Sequence, residues 1–139
     1  MSDRILIVDD DPVVRQFVEL VLTQQGYATS SAATSETALQ VLGRESFHLV
    51  LLDINMPGMT GLDILRVMRS RPKRPKILMM TAHRDSQTIM KAMQQGADGY
   101  LAKPFQPLDL IKRVETVLRG PAPPRSAPAK APGDEIILD

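Results

Sequence analysis

Short runs of purely apolar residues recur along this chain, separated by longer segments with helical periodicity. The three strongest runs are Ile5–Val8, Leu49–Leu52 and Ile77–Met80, and weaker strands are predicted near Ala28–Ser31 and Asp98–Ala102. A wholly apolar strand is typical of a sheet that is covered on both faces. Five strands alternating with five helices predict an α/β protein with a parallel sheet, because right-handed crossovers place helices on both faces.

The first helix has clear boundaries in the sequence. Asp11 is a favoured N-cap, Pro12 suits the first helical position, and Gly26 ends the helix. Its apolar residues recur with a period near 3.6: Val14, Phe17, Val18, Val21 and Leu22. Further helices are predicted at Glu36–Leu42, Leu62–Arg69, Ser86–Gln95 and Leu108–Leu118.

Charge and cysteine content narrow the classes of function. The formal net charge of +1 suggests neither a nucleic-acid binder nor a membrane-surface protein. Six basic residues lie between Arg66 and Lys76, but prolines interrupt them and no aromatic residue is interleaved. An exposed loop is therefore favoured over direct nucleic-acid binding.

The absence of cysteine excludes disulfides and thiolate metal sites. No apolar run approaches the ~18 residues of a membrane span, so a cytoplasmic protein is expected.

The composition changes at Gly120. Residues 120–133 contain five of the eleven prolines and four alanines, which is typical of an extended linker. We assign residues 1–119 to one domain and residues 120–139 to a Pro/Ala-rich linker or tail that is expected to be disordered. The final Asp134–Asp139 fits a docking peptide, the start of a further domain, or simply the place where a longer chain was cut.

Polar side chains stand just past the carboxyl ends of four predicted strands. They are Asp9 and Asp10 after the first, Asp53 after the third, Thr81 after the fourth and Lys103 after the fifth. Ligands bind at this edge of an open parallel sheet. If the sheet is doubly wound, these residues form one site with three carboxylates, a hydroxyl and an ammonium.

The charges of that site favour a divalent cation. Three carboxylates repel one another and Lys103 offsets only one of them, so the remaining charge near −2 would raise carboxylate pKa values without a cation. Oxygen ligands without histidine or cysteine favour Mg²⁺ over zinc. The Asp9-Asp10-Asp11 run has a simpler reading as a helix cap, but capping needs only one carboxylate, and Asp11 suits it best.

These residues resemble the receiver domains of bacterial two-component response regulators. The matched stretches are Ile7–Asp10, Leu51–Pro57, Thr81-Ala82 and Lys103–Phe105, and the likeness extends from Asp3 to about Arg119. The resemblance implies a CheY-like, flavodoxin-like fold: a doubly wound five-stranded parallel sheet of order 2-1-3-4-5, flanked by five helices.

The resemblance also implies roles for individual residues. Asp53 would accept a phosphoryl group from a histidine kinase or a histidine phosphotransfer protein. Mg²⁺ would be bound directly by Asp10, Asp53 and the backbone carbonyl of Asn55, and through water by Asp9. Thr81 and Lys103 would contact the phosphate.

Three further roles follow from the same resemblance. Tyr100 matches an aromatic residue that switches together with Thr81 and reshapes the face made by the fourth helix, fifth strand and fifth helix. Asn55 and His83 match positions that influence the rate of self-dephosphorylation. The Lys103-Pro104 peptide bond matches one that is cis in the family.

Two other functions are alternatives to a phosphorylation switch. One is an interaction module of the same fold that is never phosphorylated, although none of the acidic, threonine or lysine residues is missing. The other is an aspartyl-nucleophile phosphatase, which needs a second acid two residues after the nucleophile, where this chain has Asn55. No enzymatic activity beyond self-phosphorylation and self-dephosphorylation is therefore expected. The output would be a downstream protein target or an effector domain beyond Asp139.

Overall fold

The protein is described by a computed structural model that covers residues 3–71, 74–82 and 86–119. The predicted tail at residues 120–139 and the candidate residue His83 lie outside the described residues. Within those ranges, no helix is both long and apolar enough to cross a membrane.

Strands and helices alternate along the whole described chain. The strands are β1 (Arg4–Val8), β2 (Ala28–Ala32), β3 (Leu49–Asp53), β4 (Lys76–Thr81) and β5 (Gly99–Ala102). The helices are α1 (Pro12–Gln24), α2 (Ser35–Arg44), α3 (Gly61–Arg69), α4 (Ser86–Gln94) and α5 (Pro107–Arg119). Every boundary given by the sequence patterns agrees with these to within about two residues, which confirms the element assignment.

The five strands form one parallel sheet in the order β2-β1-β3-β4-β5. The chain first builds outward from β1 to β2, then returns to the other side of β1 and continues through β3, β4 and β5. The strand order therefore reverses between β1 and β3, where open α/β sheets bind ligands. The doubly wound architecture and the strand order are both confirmed.

The apolar strands fill two separate core layers. Alternate residues of β1 point to opposite faces, so Leu6 packs in one buried cluster with Val50 and Ile64, whereas Ile5 packs in the other with Leu22. Because helices cover both clusters, the inner strands β1, β3 and β4 are buried on both faces along almost their whole length. This arrangement explains why β1, β3 and β4 are apolar without alternation.

Local signals at the carboxyl edge of the sheet set where two of the helices begin. The Asp11 carboxylate accepts a hydrogen bond from the Val13 N–H at 2.9 Å and caps α1, as predicted. At α3, Thr60 and Asp63 form a reciprocal capping box. Both helices thus begin beside the strand ends that carry the candidate site residues.

The start of α3 packs unusually closely on the end of β3. A Cβ atom built on Gly61 would lie 2.3 Å from the carbonyl oxygen of Asp53 and 2.9 Å from the Cα atom of Ile54. The Gly61 N–H donates to the carbonyl of Ile54 at 3.0 Å. Only a residue without a side chain fits this backbone contact, which fixes the strand end that carries Asp53.

Candidate functional site

The strand ends bring the predicted polar residues together at one edge of the sheet. Asp53 ends β3, Thr81 ends β4, and Asp9 and Lys103 directly follow β1 and β5. Asp9, Asp53 and Thr81 are buried, whereas Asp10 is exposed at the mouth of the site. The site is therefore a polar cluster that is open to solvent on the side of Asp10.

Three carboxylates form the centre of this site. One oxygen each from Asp9, Asp10 and Asp53 can be chosen so that all three lie within 4.8 Å of one another, and we call these residues the acidic cluster. Like charges at that separation repel unless a cation lies between them. The donor set consists of hard oxygen atoms, which fits Mg²⁺ or Ca²⁺ better than a metal that prefers nitrogen or sulfur.

Lys103 supplies a positive charge to this site, and it lies closer to Asp9 than to Asp53. Its Nζ atom donates to Asp9 Oδ2 at 2.7 Å and is 3.5 Å from Asp53 Oδ1. Burial on its own would lower the pKa of Lys103, but the hydrogen bond to Asp9 and the charge of Asp53 outweigh it and raise the pKa. Lys103 therefore remains an ammonium ion.

Ionisation of the Asp53 carboxyl group is costly in the absence of a metal. Its pKa is raised from 3.8 to about 6, because burial, together with the charge of Asp9, outweighs the lowering by Lys103 and the Asn55 N–H. The Asn55 N–H donates to Asp53 Oδ1 at 3.3 Å. An added cation would relieve this unfavourable charge, so the electrostatics of the site also fit metal binding.

The family follows from one further observation. A family model described as the response regulator receiver domain matches residues 5–115 of this chain, which is most of its length. The chain belongs to this family. Receiver domains are the signalling domains of two-component systems and are not classical enzymes.

Similar proteins agree with this assignment of the receiver domain. The DNA-binding response regulator MtrA of Mycolicibacterium smegmatis is 40% identical over 119 residues, which is 86% of this chain but 52% of MtrA. The chain thus spans about half the length of that curated relative.

Two solved structures match the receiver domain over their full length. Chemotaxis response regulator CheY4 of Vibrio cholerae has 33% identity and a TM-score of 0.80, covering 84% of this chain and 99% of CheY4. A response regulator from Chloroflexus aurantiacus has 36% identity and a TM-score of 0.82, covering 86% of this chain and 100% of the other.

The predicted switch residue of the receiver domain, Tyr100, lies on the face formed by α4, β5 and α5, which we call the output face. Its side chain is partly exposed, and the guanidinium of Arg113 lies over its ring, 5.7 Å from the centroid. A groove of about 720 Å³ runs beside the ring and is lined by Leu101, Ala102, Phe105, Asp109, Lys112 and Thr116 in addition to these two residues. In this conformation the Tyr100 ring thus lies beside Arg113 of α5 and is partly open to solvent.

The structure brings the predicted metal-binding and phosphate-contacting residues that it describes together, and Tyr100 lies apart from them on the output face. Asp9, Asp10, Asp53, Thr81 and Lys103 share one edge, and the exposed Asn55 follows in the β3–α3 loop. The Lys103-Pro104 peptide bond is cis, as the resemblance implied.

Sequence reasoning missed two residues that shape the site. Gly61 makes the backbone contact below Asp53, and Arg15 donates from Nη1 to the backbone carbonyl of Asp9 at 2.7 Å. Neither carries a signal in sequence, because each acts on a backbone atom whose position depends on the completed fold.

Proposed function

We propose that this receiver domain accepts a phosphoryl group on Asp53 from a histidine kinase or a histidine phosphotransfer protein, and that the transfer requires Mg²⁺. The observation that carries the proposal is the acidic cluster with Lys103 beside Asp53. The family match and the retention of every acidic, threonine and lysine residue of the motif support it independently.

Asp53 is the proposed nucleophile. One of its carboxylate oxygens attacks the phosphorus of a phosphohistidine, the P–N bond breaks, and its electron pair returns to the imidazole of the donor. With a pKa of about 6, Asp53 is mostly ionised at neutral pH even without a metal. The nucleophile therefore needs no separate general base.

The metal would be held by Asp10, Asp53 and the backbone carbonyl of Asn55. Asp9 already accepts hydrogen bonds from Lys103 and from the Asp11 N–H at 2.9 Å, which favours a contact through water for this residue. When bound, Mg²⁺ withdraws electron density from the phosphoryl oxygens and screens them from the carboxylates. Thr81 and Lys103 would then hydrogen-bond the phosphoryl oxygens.

The proposal is tested by incubating the protein with acetyl phosphate and Mg²⁺. We expect intact-mass spectrometry to find one added phosphoryl group, and borohydride reduction followed by peptide mapping to place it on Asp53. The same incubation in EDTA should give no addition. An unmodified mass in Mg²⁺, or a stable modification mapped to another residue, would contradict the proposed function.

An apolar recess beside the site supports a protein as the phosphoryl donor. The recess measures about 460 Å³ and is lined by Val13, Val14, Phe17, Ala82, Lys103, Pro104 and Phe105. Val13 at its rim is 72% exposed. A donor protein must present its histidine to Asp53, and an apolar surface next to Lys103 gives it a place to dock.

The proposed output is a change in shape of the output face. Phosphorylation adds oxygens that can accept one to three new charge-assisted hydrogen bonds, each worth roughly 1.5–3 kcal/mol. Shifting a two-state equilibrium from 1:99 to 99:1 needs about 5.5 kcal/mol, so two or three contacts suffice.

In the proposed switch, Thr81 would move towards the phosphate, and the Tyr100 ring would turn inward. The stacking of Arg113 on Tyr100 is worth only about 0.5–1 kcal/mol and is too weak to prevent this.

We expect Thr81→Ala to separate phosphorylation from the switch. The variant keeps Asp53 and the metal ligands, so it should still be phosphorylated, but the output face should respond weakly because the moving hydroxyl is gone. Amide chemical shifts measured with and without beryllofluoride test this, with Thr23→Ala, at an exposed position of α1, as a matched control. A wild-type response in Thr81→Ala would refute the coupling and leave the phosphorylation site unaffected.

Two finer roles belong to the same proposal. Asn55 and His83 would tune the lifetime of the phosphorylated state. The signal would pass from the output face either to a separate protein or to an effector domain beyond this chain, since MtrA, which is named as a DNA-binding regulator, is about twice as long as the region it shares with this chain.

A further inference from the structure

Arg15 forms a contact with the acidic cluster that involves no carboxylate. It lies in the first turns of α1, and its Nη1 atom donates to the backbone carbonyl of Asp9 at 2.7 Å. A guanidinium donor makes this a short, charge-assisted hydrogen bond. The arginine is half-buried and the whole of Asp9 is buried, so solvent competes little for the bond.

This bond completes the set of contacts made by Asp9. Its N–H donates to the carbonyl of Ala32 in the adjacent strand at 3.2 Å, and its two carboxylate oxygens accept from the Asp11 N–H and from Lys103. Arg15 binds the remaining polar atom, the carbonyl oxygen. Asp9 is therefore held at every hydrogen-bonding group, and its carbonyl belongs to the peptide that leads into Asp10.

Asp10 itself lies between two anchored residues. On one side is the Asp9 carbonyl bound by Arg15, and on the other is Asp11, whose carbonyl accepts from the Arg15 N–H at 3.0 Å. The same arginine thus fixes the backbone before and after Asp10, once with its side chain and once with its main chain. Since Asp10 is exposed, packing constrains its side chain little, and the backbone sets the direction in which its Cα–Cβ bond points.

We propose that Arg15 is a positioning residue of the Mg²⁺ site, which holds the Asp9–Asp10 peptide so that the Asp10 carboxylate is directed at Asp53. The proposal rests on the metal site put forward above. Groups that orient metal ligands without touching the metal are commonly worth 10–100-fold in metal affinity. Arg15 would orient the proposed ligand Asp10 in this way, by holding the backbone before it.

A purely electrostatic role for Arg15 predicts the opposite effect. The guanidinium is a positive charge near a site for a divalent cation, so its removal would make the site more negative and strengthen Mg²⁺ binding. Loss of positioning would weaken binding instead. The sign of the change in affinity therefore distinguishes the two roles.

The experiment is an Mg²⁺ titration of the full chain, followed by amide chemical shifts, for wild type, Arg15→Met, Arg15→Lys and Asp10→Asn. We expect Arg15→Met, which keeps the apolar stem, to raise the Kd for Mg²⁺ about tenfold. Arg15→Lys keeps a donor and a charge, so it should stay within about threefold of wild type. Gln16→Met, at an exposed neighbouring position on the same helix, is the matched control and should not change the Kd.

Each outcome bears on a different part of the proposal. Unchanged or tighter Mg²⁺ binding by Arg15→Met would overturn the positioning role and leave the metal site in place. Wild type that binds no Mg²⁺, or Asp10→Asn that binds as well as wild type, would overturn the metal site and this inference with it. Urea unfolding in EDTA checks that each variant is folded, and Arg15→Gln replaces Arg15→Met, with the same expected direction, if that variant is not.

Discussion

Asp53→Asn should make the metal-free protein more stable at about pH 8, by about 2–3 kcal/mol in the free energy of unfolding, even though it removes the proposed phosphoacceptor. The reason is that folding raises the pKa of Asp53 from 3.8 to about 6, first through burial and then through the charge of Asp9. Each unit of such a shift corresponds to about 1.4 kcal/mol. The charged carboxylate thus lowers the free energy of unfolding of the metal-free protein, and the neutral asparagine does not.

The stabilisation should follow a definite pH window. A carboxyl group with a raised pKa in the folded state contributes stability below its unfolded pKa of 3.8, and this contribution is lost as the pH rises through about 6. The advantage of Asp53→Asn should therefore be small at about pH 4 and complete above about pH 7. Adding Mg²⁺ should reduce it, since wild type gains a bound ion and the variant loses a ligand.

Urea unfolding in EDTA at a series of pH values measures this effect. Asp63→Asn is a useful control because the pKa of Asp63 is lowered, chiefly by hydrogen bonds from Thr60, so this variant should be less stable than wild type at pH 8. Asp53→Asn should also gain no phosphoryl group from acetyl phosphate. Equal stabilities of wild type and Asp53→Asn across the pH range would show that the ionised Asp53 carboxylate does not destabilise the metal-free fold.

Gly61→Ala is expected to lower the free energy of unfolding by about 3 kcal/mol, the upper part of the range for an overpacked site. The added Cβ would lie 2.3 Å from the carbonyl oxygen of Asp53, and its other close neighbours are also backbone atoms of β3 and the following residue. No side chain can move aside to relieve the clash. The end of β3 must shift, so the rate of phosphorylation on Asp53 should fall as well.

Gly43→Ala provides the matched control for this prediction. Gly43 lies inside α2, and a Cβ there would meet no atom within 4 Å, so alanine should raise the stability by up to about 1 kcal/mol. Urea denaturation followed by circular dichroism compares the two variants. If both glycine substitutions changed stability in the same direction, the close backbone contact at Gly61 would not be the cause.

The fold was predictable from the sequence because a strand covered on both faces has a distinctive composition. Leu6 and Ile5 pack into opposite core layers, so β1 must be apolar at every position, and β3 and β4 follow the same rule. The edge strand β2 has the sequence Ala-Thr-Ser-Ser-Ala and only one buried residue, which is why its signal was weak. The prediction of β2 depended on the regular alternation of strands and helices along the chain rather than on the residues of β2.

The site was predictable for a related reason, since parallel strands end at a common edge. This places Asp9, Asp53, Thr81 and Lys103 together without any knowledge of distances. The sequence does not reveal which carboxylate the lysine approaches most closely, or that Arg15 and Gly61 act through the backbone. These depend on loop paths and interatomic distances of a few ångströms, which residue types alone do not encode.

The contact between Lys103 and Asp9 joins residues 94 positions apart in the chain. During synthesis, the acids of β1 and β3 emerge long before the lysine that follows β5, so a partly synthesised chain contains these acids without the ammonium ion that pairs with them. The proposed phosphorylation of Asp53 therefore becomes possible only after β5 and Lys103 have been added to the fold. An acyl phosphate on Asp53 would therefore indicate a chain whose sheet is complete. Incomplete chains would not be phosphorylated and would send no signal.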